Sequence, residues 1–299
     1  MGAPHGDDHH PRLIVATSPL ASPSATIAVL ERHGLHTKKS LGQHFLVDDN
    51  VIARILDLAA LRGDETVVEV GPGIGTLTIA LCGSAGAVVA VERDRGLDRV
   101  LEETTAGCGR FALVRSDALE VTQESLSRDF GPPVALVANL PYQVAATLVL
   151  RFFETMPSIE SATVMVQAEV ADRMAAEPGT KAYGSYTVKL RLLASPAGRF
   201  RVAPGCFLPP PRVDSAVIRL DRRPHAADSG TVARAARVAD AAFAQRRKTI
   251  RNSLLGATGL GADVVDDALR SAGIGPGVRA ETLPPEAFVS LAQGFGTAL

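Results

Sequence analysis

The sequence predicts an α/β protein: a mostly parallel sheet covered by helices on both faces, followed by a small all-α tail. Three observations carry that reading. Between residues 66 and 166, apolar β-branched runs alternate with helical patterns, as expected of strands buried on both faces. A glycine-rich turn, Gly71-Pro72-Gly73-Ile74-Gly75, joins the first of these runs to the next helix. From Thr231 onward no strand pattern occurs. At 299 residues the chain is too long for one small module and suits one large α/β domain with an appendage, or two modest domains.

The elements follow in order. Residues 1–25, with clustered prolines and histidines, are expected to form a disordered, solvated extension. They hold no basic segment joined to a long apolar one, so no signal peptide is expected. Residues 26–33 read as a short helix stopped by Gly34. A polar, glycine-containing loop covers 38–48. Asp48 or Asp49 then caps a helix whose apolar positions Val51, Ile52, Ile55, Leu56 and Ala59 keep helical spacing. Strands are expected at 66–70, 87–92, 111–115, 134–138 and 161–166, with helices at 77–81, 97–103 and 145–154. A helix at 186–194 and strands at 199–202 and 215–220 follow, the last two separated by a stiff proline-rich turn at 207–214. A boundary falls near 222–230, giving a main domain over 26–222 and a tail of three or four short helices over 230–299.

Composition narrows the function classes. Hydrophobic residues make up 46% and charged residues 21%, which excludes a fibrous or largely disordered protein. Aromatics are 4% with no Trp, so the core is built from Ala, Val, Leu and Ile. A net charge of −1 is far from that of a protein that coats nucleic acid non-specifically, so any such contact needs a local patch. Cys82, Cys108 and Cys206 have no metal-pair spacing, which suits a reducing, cytoplasmic protein without structural zinc. No apolar run approaches membrane length.

Several chemistry-bearing residues sit where strands are expected to end. Glycines after the first strand let the backbone approach a ligand. Glu92 ends the second strand, placed for ribose hydroxyls. This arrangement fits NAD or S-adenosylmethionine. The spacing favours the latter: a dinucleotide fingerprint wants its third glycine three residues after the second, and position 76 is Thr. Asp117 follows the third strand, where it could accept from an adenine amine or simply cap a helix. Asn139-Leu140-Pro141-Tyr142 follows the fourth, beside the point where such sheets bind ligands. There Asn139 offers an amide oxygen, Leu140 a carbonyl and Tyr142 a flat face.

The Asn-Leu-Pro-Tyr segment resembles the catalytic motif of methyltransferases that act on exocyclic amines. With Lys38-Lys39-Ser40-Leu41-Gly42-Gln43-His44-Phe45-Leu46, Glu69-Val70-Gly71-Pro72-Gly73, Phe207-Leu208-Pro209-Pro210-Pro211-Arg212-Val213-Asp214-Ser215 and the tail segment from Gln245 to Leu254, it is similar to the bacterial small-subunit (16S) ribosomal RNA adenine dimethyltransferases, from about residue 26 onward. The resemblance implies a Rossmann-like, class I S-adenosylmethionine-dependent methyltransferase with a seven-stranded sheet and a helical RNA-binding C-terminal domain. It implies cofactor contacts at His44, Leu46, Gly71, Gly73, Glu92, Asp117, Ala118 and Asn139. Many members carry Asn where this chain has His44, which matters little if the contact is through the backbone. It implies that Asn139, Leu140, Pro141 and Tyr142 form the catalytic loop, and that Tyr142 and Phe207 hold the target adenine. No chemical task falls to the Tyr142 hydroxyl, and neither a metal nor a strong general base is needed.

The tail is the more basic part: residues 207–299 carry net +3 and residues 1–206 net −4. Arg246, Arg247, Lys248 and Arg251 bunch there. A helix would put Arg247 and Arg251 on one face, fit for RNA phosphates. The substrate implied is two adjacent adenosines near the 3′ end of 16S ribosomal RNA, within an immature 30S subunit, with the enzyme a monomer. Rival readings are a large-subunit (23S) RNA methyltransferase of the antibiotic-resistance type, which shares the motifs, and a non-catalytic RNA-binding assembly factor. An NAD-dependent dehydrogenase is disfavoured by the glycine spacing and by the lack of a hydride-handling pair.

Overall fold

The computed structural model describes residues 18–35, 44–224 and 228–299. The fold begins earlier than residue 26. Ser18 and Leu20 are buried, and the Ser18 N–H donates to Asp49 at 3.1 Å. Ser22 caps α1 (Pro23–Arg32) by accepting from the Ala25 N–H, and proline at the first position suits a helix start. Residues 1–17 of the expected extension and the 38–43 part of the loop motif lie outside the described residues.

Next come β1 (Phe45–Leu46) and α2 (Asp49–Ala59), the latter capped by Asp48. The alternating region runs β2 (Thr66–Val70), α3 (Thr76–Cys82), β3 (Ala87–Glu92), α4 (Asp98–Thr104), β4 (Phe111–Arg115), α5 (Gln123–Leu126), β5 (Ala135–Asn139), α6 (Ala145–Thr155) and β6 (Ser161–Gln167). Then follow α7 (Ala168–Met174), α8 (Ser185–Leu193), β7 (Ala194–Val202), β8 (Phe207–Leu208) and β9 (Ser215–Arg222). Seven strands form one sheet in the order β4-β3-β2-β5-β6-β9-β7, with β9 antiparallel to both its neighbours. The five expected parallel strands are all present. Strand β7 is longer than expected because Pro196 and Gly198, which weaken a strand signal, sit at a register shift on the sheet edge, where proline is tolerated. Helix α7 and the two-residue pair β1–β8 were not anticipated; Phe45 pairs with Leu208 and Leu46 with Phe207.

The strand order reverses between β2 and β5, and the crevice at the carboxyl ends of these strands is where sheets of this topology bind ligands. One face of the sheet buries α6, through Leu148, Val149, Phe152 and Phe153; the other buries α2 and α3, through Ile52, Ile55, Leu77 and Leu81. The third glycine has a packing task. Gly75 adopts φ +90°, and a Cβ there would stand 2.8 Å from the Thr104 hydroxyl of α4, so it sets the fit between the loop and that helix.

Four helices close the chain: α9 (Ser229–Phe243), α10 (Ile250–Thr258), α11 (Ala262–Ser271) and α12 (Pro285–Phe295). Their core gathers Val238, Ile250, Leu254, Leu269, Phe288 and Leu291 with Tyr183, Val188 and Leu192 from before the expected boundary. Helix α8 also gives Leu190 and Leu193 to the sheet core, so it belongs to both cores. The link at 222–230 divides the chain but not the packing.

Candidate active site

A cavity opens at the carboxyl ends of β2, β3 and β5. It is lined by every expected cofactor residue — His44, Leu46, Gly71, Gly73, Glu92, Asp117, Ala118 and Asn139 — and by Leu140, Pro141 and Tyr142. Gly73 lines it at φ +61°, a left-handed backbone that favours glycine, and a Cβ there would press on the Phe45 ring at 3.2 Å.

The carboxylates are set by their surroundings. Glu92 Oε1 accepts from the N–H groups of Arg93 (2.8 Å) and Asp94 (2.7 Å), and burial raises its pKa. Asp117 lies at a turn after β4, not at a helix start. Its Oδ1 accepts from the Leu119 N–H at 2.9 Å and its Oδ2 pairs with Arg93 at 3.1 Å; these contacts lower its pKa. Sequence reasoning assigned no task to Glu69. It is 1% exposed, lines the cavity, and its Oε2 finds no hydrogen-bond partner among the described residues. Burial pushes its pKa up to about 8, with the Glu92 charge adding to the effect. The available signal was an acid inside the apolar run Thr66-Val67-Val68-Glu69-Val70.

The Asn139–Tyr142 loop meets His44. Asn139 Nδ2 donates to the His44 carbonyl at 3.3 Å. The His44 imidazole also stacks on Tyr142, with centroids 5.8 Å apart and planes 24° apart. The Tyr142 hydroxyl, given no task above, lies 2.6 Å from Ser215 Oγ.

Phe207, expected with Tyr142 to hold the target adenine, is 3% exposed and packed in the sheet core with Leu46 and Val217, its strand pairing with Leu46. One expectation is corrected. The basic tail residues do not share a helix. Arg246, Arg247 and Lys248 lie in the link after α9, and Thr249 caps a fresh start of α10. Arg251 is held bidentate by Asp266 at 2.6 and 2.9 Å. Arg246 donates to the Lys181 carbonyl at 2.6 Å and pairs with Glu281. Arg247 and Lys248 are exposed.

The sheet, the glycine turn and the polar residues at the strand ends define a class I S-adenosylmethionine-dependent methyltransferase. The polar lining fits that cofactor: Glu92 and Asp117 offer acceptors for hydroxyls and an amine, and Glu69 a buried carboxyl that a nearby cation would draw into its charged form. The ribosomal RNA adenine dimethylase profile matches residues 34–295, and the chain belongs to that family. It is 44% identical over 270 residues to the ribosomal RNA small subunit methyltransferase A of Magnetococcus marinus, covering 89% of this chain and 94% of that one. It is 46% identical over 267 residues to the protein of that name from Streptomyces griseus, covering 87% and 90%. Among solved structures, the 23S rRNA methyltransferase ErmE is 30% identical at a TM-score of 0.65, covering 84% of this chain and 99% of that one. A dimethyladenosine transferase from Plasmodium falciparum shares the fold at a TM-score of 0.70 and 20% identity, covering 83% and 96%.

Proposed function

We propose that this protein dimethylates N6 of two adjacent adenosines near the 3′ end of 16S ribosomal RNA, within an immature 30S subunit, as a cytoplasmic monomer. The observation that carries the chemistry is the Asn139–Tyr142 loop standing at the cavity rim beside the expected cofactor residues. The choice of RNA is supported by identities of 44% and 46% to proteins named for the small subunit, against 30% to a 23S enzyme. The exposed Arg247 and Lys248 of the helical tail serve as RNA contacts.

S-adenosylmethionine supplies an activated methyl on a sulfonium. The chain's own work is on the acceptor, whose nitrogen lone pair is delocalised into the adenine ring. With Asn139 Nδ2 committed to the His44 carbonyl, the amide oxygen is the end left for the target amine. That oxygen and the Leu140 carbonyl accept the two amine hydrogens, favour a pyramidal nitrogen and aim its lone pair. Tyr142 stacks on the adenine and fixes the aim, worth roughly 1–3 kcal/mol. The nitrogen gains a methyl and loses a proton to water in each of two rounds.

The test is single-turnover methyl transfer to immature 30S particles and, separately, to large-subunit RNA, with mass spectrometry of the digests. Dimethyladenosine is expected in the small-subunit RNA, and Asn139→Ala should slow its formation roughly 10²–10³-fold. Product in the large-subunit RNA alone would make this a resistance-type enzyme. Failure to bind S-adenosylmethionine by calorimetry would make it a non-catalytic RNA-binding factor.

A further inference from the structure

Tyr142 is held directly by Ser215 and, through His44, by Pro209, both in the segment that runs from β8 into β9. Its hydroxyl meets Oγ of Ser215, a residue with no exposed surface. Ser215 is fixed in turn by sheet pairing on both sides, opposite Gln167 of β6 and Val202 of β7. One region of the ring is covered by the His44 imidazole. That imidazole contacts the Pro209 carbonyl through Nδ1 at 2.8 Å, and since a carbonyl only accepts, Nδ1 carries the hydrogen. Ser215 and Pro209 both belong to the proline-rich segment 207–215, so one stretch of chain governs the tilt of the ring from its hydroxyl end and, through His44, from its face.

We propose that Ser215 and His44 are positioning residues that clamp the Tyr142 ring, so that the target adenine stacks on the face that His44 leaves open. The inference rests on the reading of Tyr142 as the platform for the base. An unclamped, half-buried ring turns about its two side-chain torsions, and χ2 of tyrosine is broad. Methyl transfer needs the amine in line, so a platform free to tilt keeps its stacking area but spoils the alignment. Removing either hydroxyl also leaves the other without its partner in a buried place, which costs about tenfold or more in an equilibrium. This gives the Tyr142 hydroxyl a task that is mechanical, not chemical.

Single-turnover methyl transfer to immature 30S particles, with saturating cofactor, tests the clamp in a double-mutant cycle. Tyr142→Phe and Ser215→Ala should each slow the step about tenfold. The double variant should be no slower than either alone, because both remove one bond. Cofactor affinity and half-saturating particle concentration should stay at parental values, which a general loosening of the fold would not leave in place. His44→Ala should also slow the step, and His44→Phe, which keeps a flat ring, should recover part of the loss. Parental rates in Ser215→Ala, or effects that multiply to about a hundredfold in the double variant, would overturn the clamp. If Ser215→Ala does not fold, Tyr142→Phe reads the same bond, and a parental rate there overturns it equally. A parental rate in Tyr142→Ala would instead defeat the platform reading itself.

Discussion

Glu69 is the residue whose environment departs most from what a carboxylate prefers. Its folded pKa of about 8 lies above the ordinary 4.5. Between those values the folded protein keeps a proton that the unfolded chain gives up, so stability falls as pH rises through that window, by up to roughly 1.4 kcal/mol per pH unit. Glu69→Gln should flatten this part of the stability profile in urea titrations at pH 5 to 9. A cationic ligand in the cavity favours the charged carboxylate. Affinity for S-adenosylmethionine should therefore rise with pH to about 8, with proton uptake by buffer on binding at neutral pH. In Glu69→Gln the affinity at pH 8 should be lower and its rise with pH lost. An unchanged calorimetric profile in the variant would remove Glu69 from the cofactor site.

Among the elements, α8 carries the coupling between the sheet and the closing helices. Its Leu190 and Leu193 face one core and its Val188 and Leu192 the other. Phe288 of α12 is fully buried and stacks on Phe243, which meets Tyr183 edge-on just before α8, each pair 6.0 Å apart. Phe288→Ala should cost roughly 3–5 kcal/mol, since it leaves a cavity in a close-packed cluster. Because α8 is shared, that loss should shift one cooperative transition, seen alike by circular dichroism and by cofactor binding. A separate early transition of the closing helices would show that α8 does not couple them.

At the scale of the molecule, charge is divided: net −4 over residues 1–206 and +3 over the rest. A protein with so little overall charge draws RNA by local cations, and the ion pairs of Arg246 and Arg251 leave Arg247 and Lys248 as the exposed members of the tail cluster with no ion pair among the described residues. Changing both to Glu should weaken binding to immature 30S particles and lower the steepness of its salt dependence by about 1–2 in log–log slope, with cofactor affinity unchanged. Arg251→Glu should act differently, destabilising α10 against α11 by placing two acids together at Asp266. An unchanged salt slope in the double variant would take this link out of the RNA interface.

The sequence by itself determined the five parallel strands, the glycine turn and the polar residues at the strand ends. Each is a local property: an apolar β-branched run makes a strand, and the residue after it stands at the sheet's carboxyl edge whatever the rest of the chain does. Glu92, Asp117 and Asn139 were legible for that reason. What only the tertiary structure decided are the contacts between segments. His44 reaches Asn139 across 95 positions, and Tyr142 reaches Ser215 across 73. Phe207 turned out to be core because strand pairing with Leu46 set its direction, and Arg251 turned out to be bonded because α11 brings Asp266 beside it. Helix α8 joined two cores because the closing helices fold back over it. No periodicity encodes such meetings; they follow from the global packing of helices on the sheet.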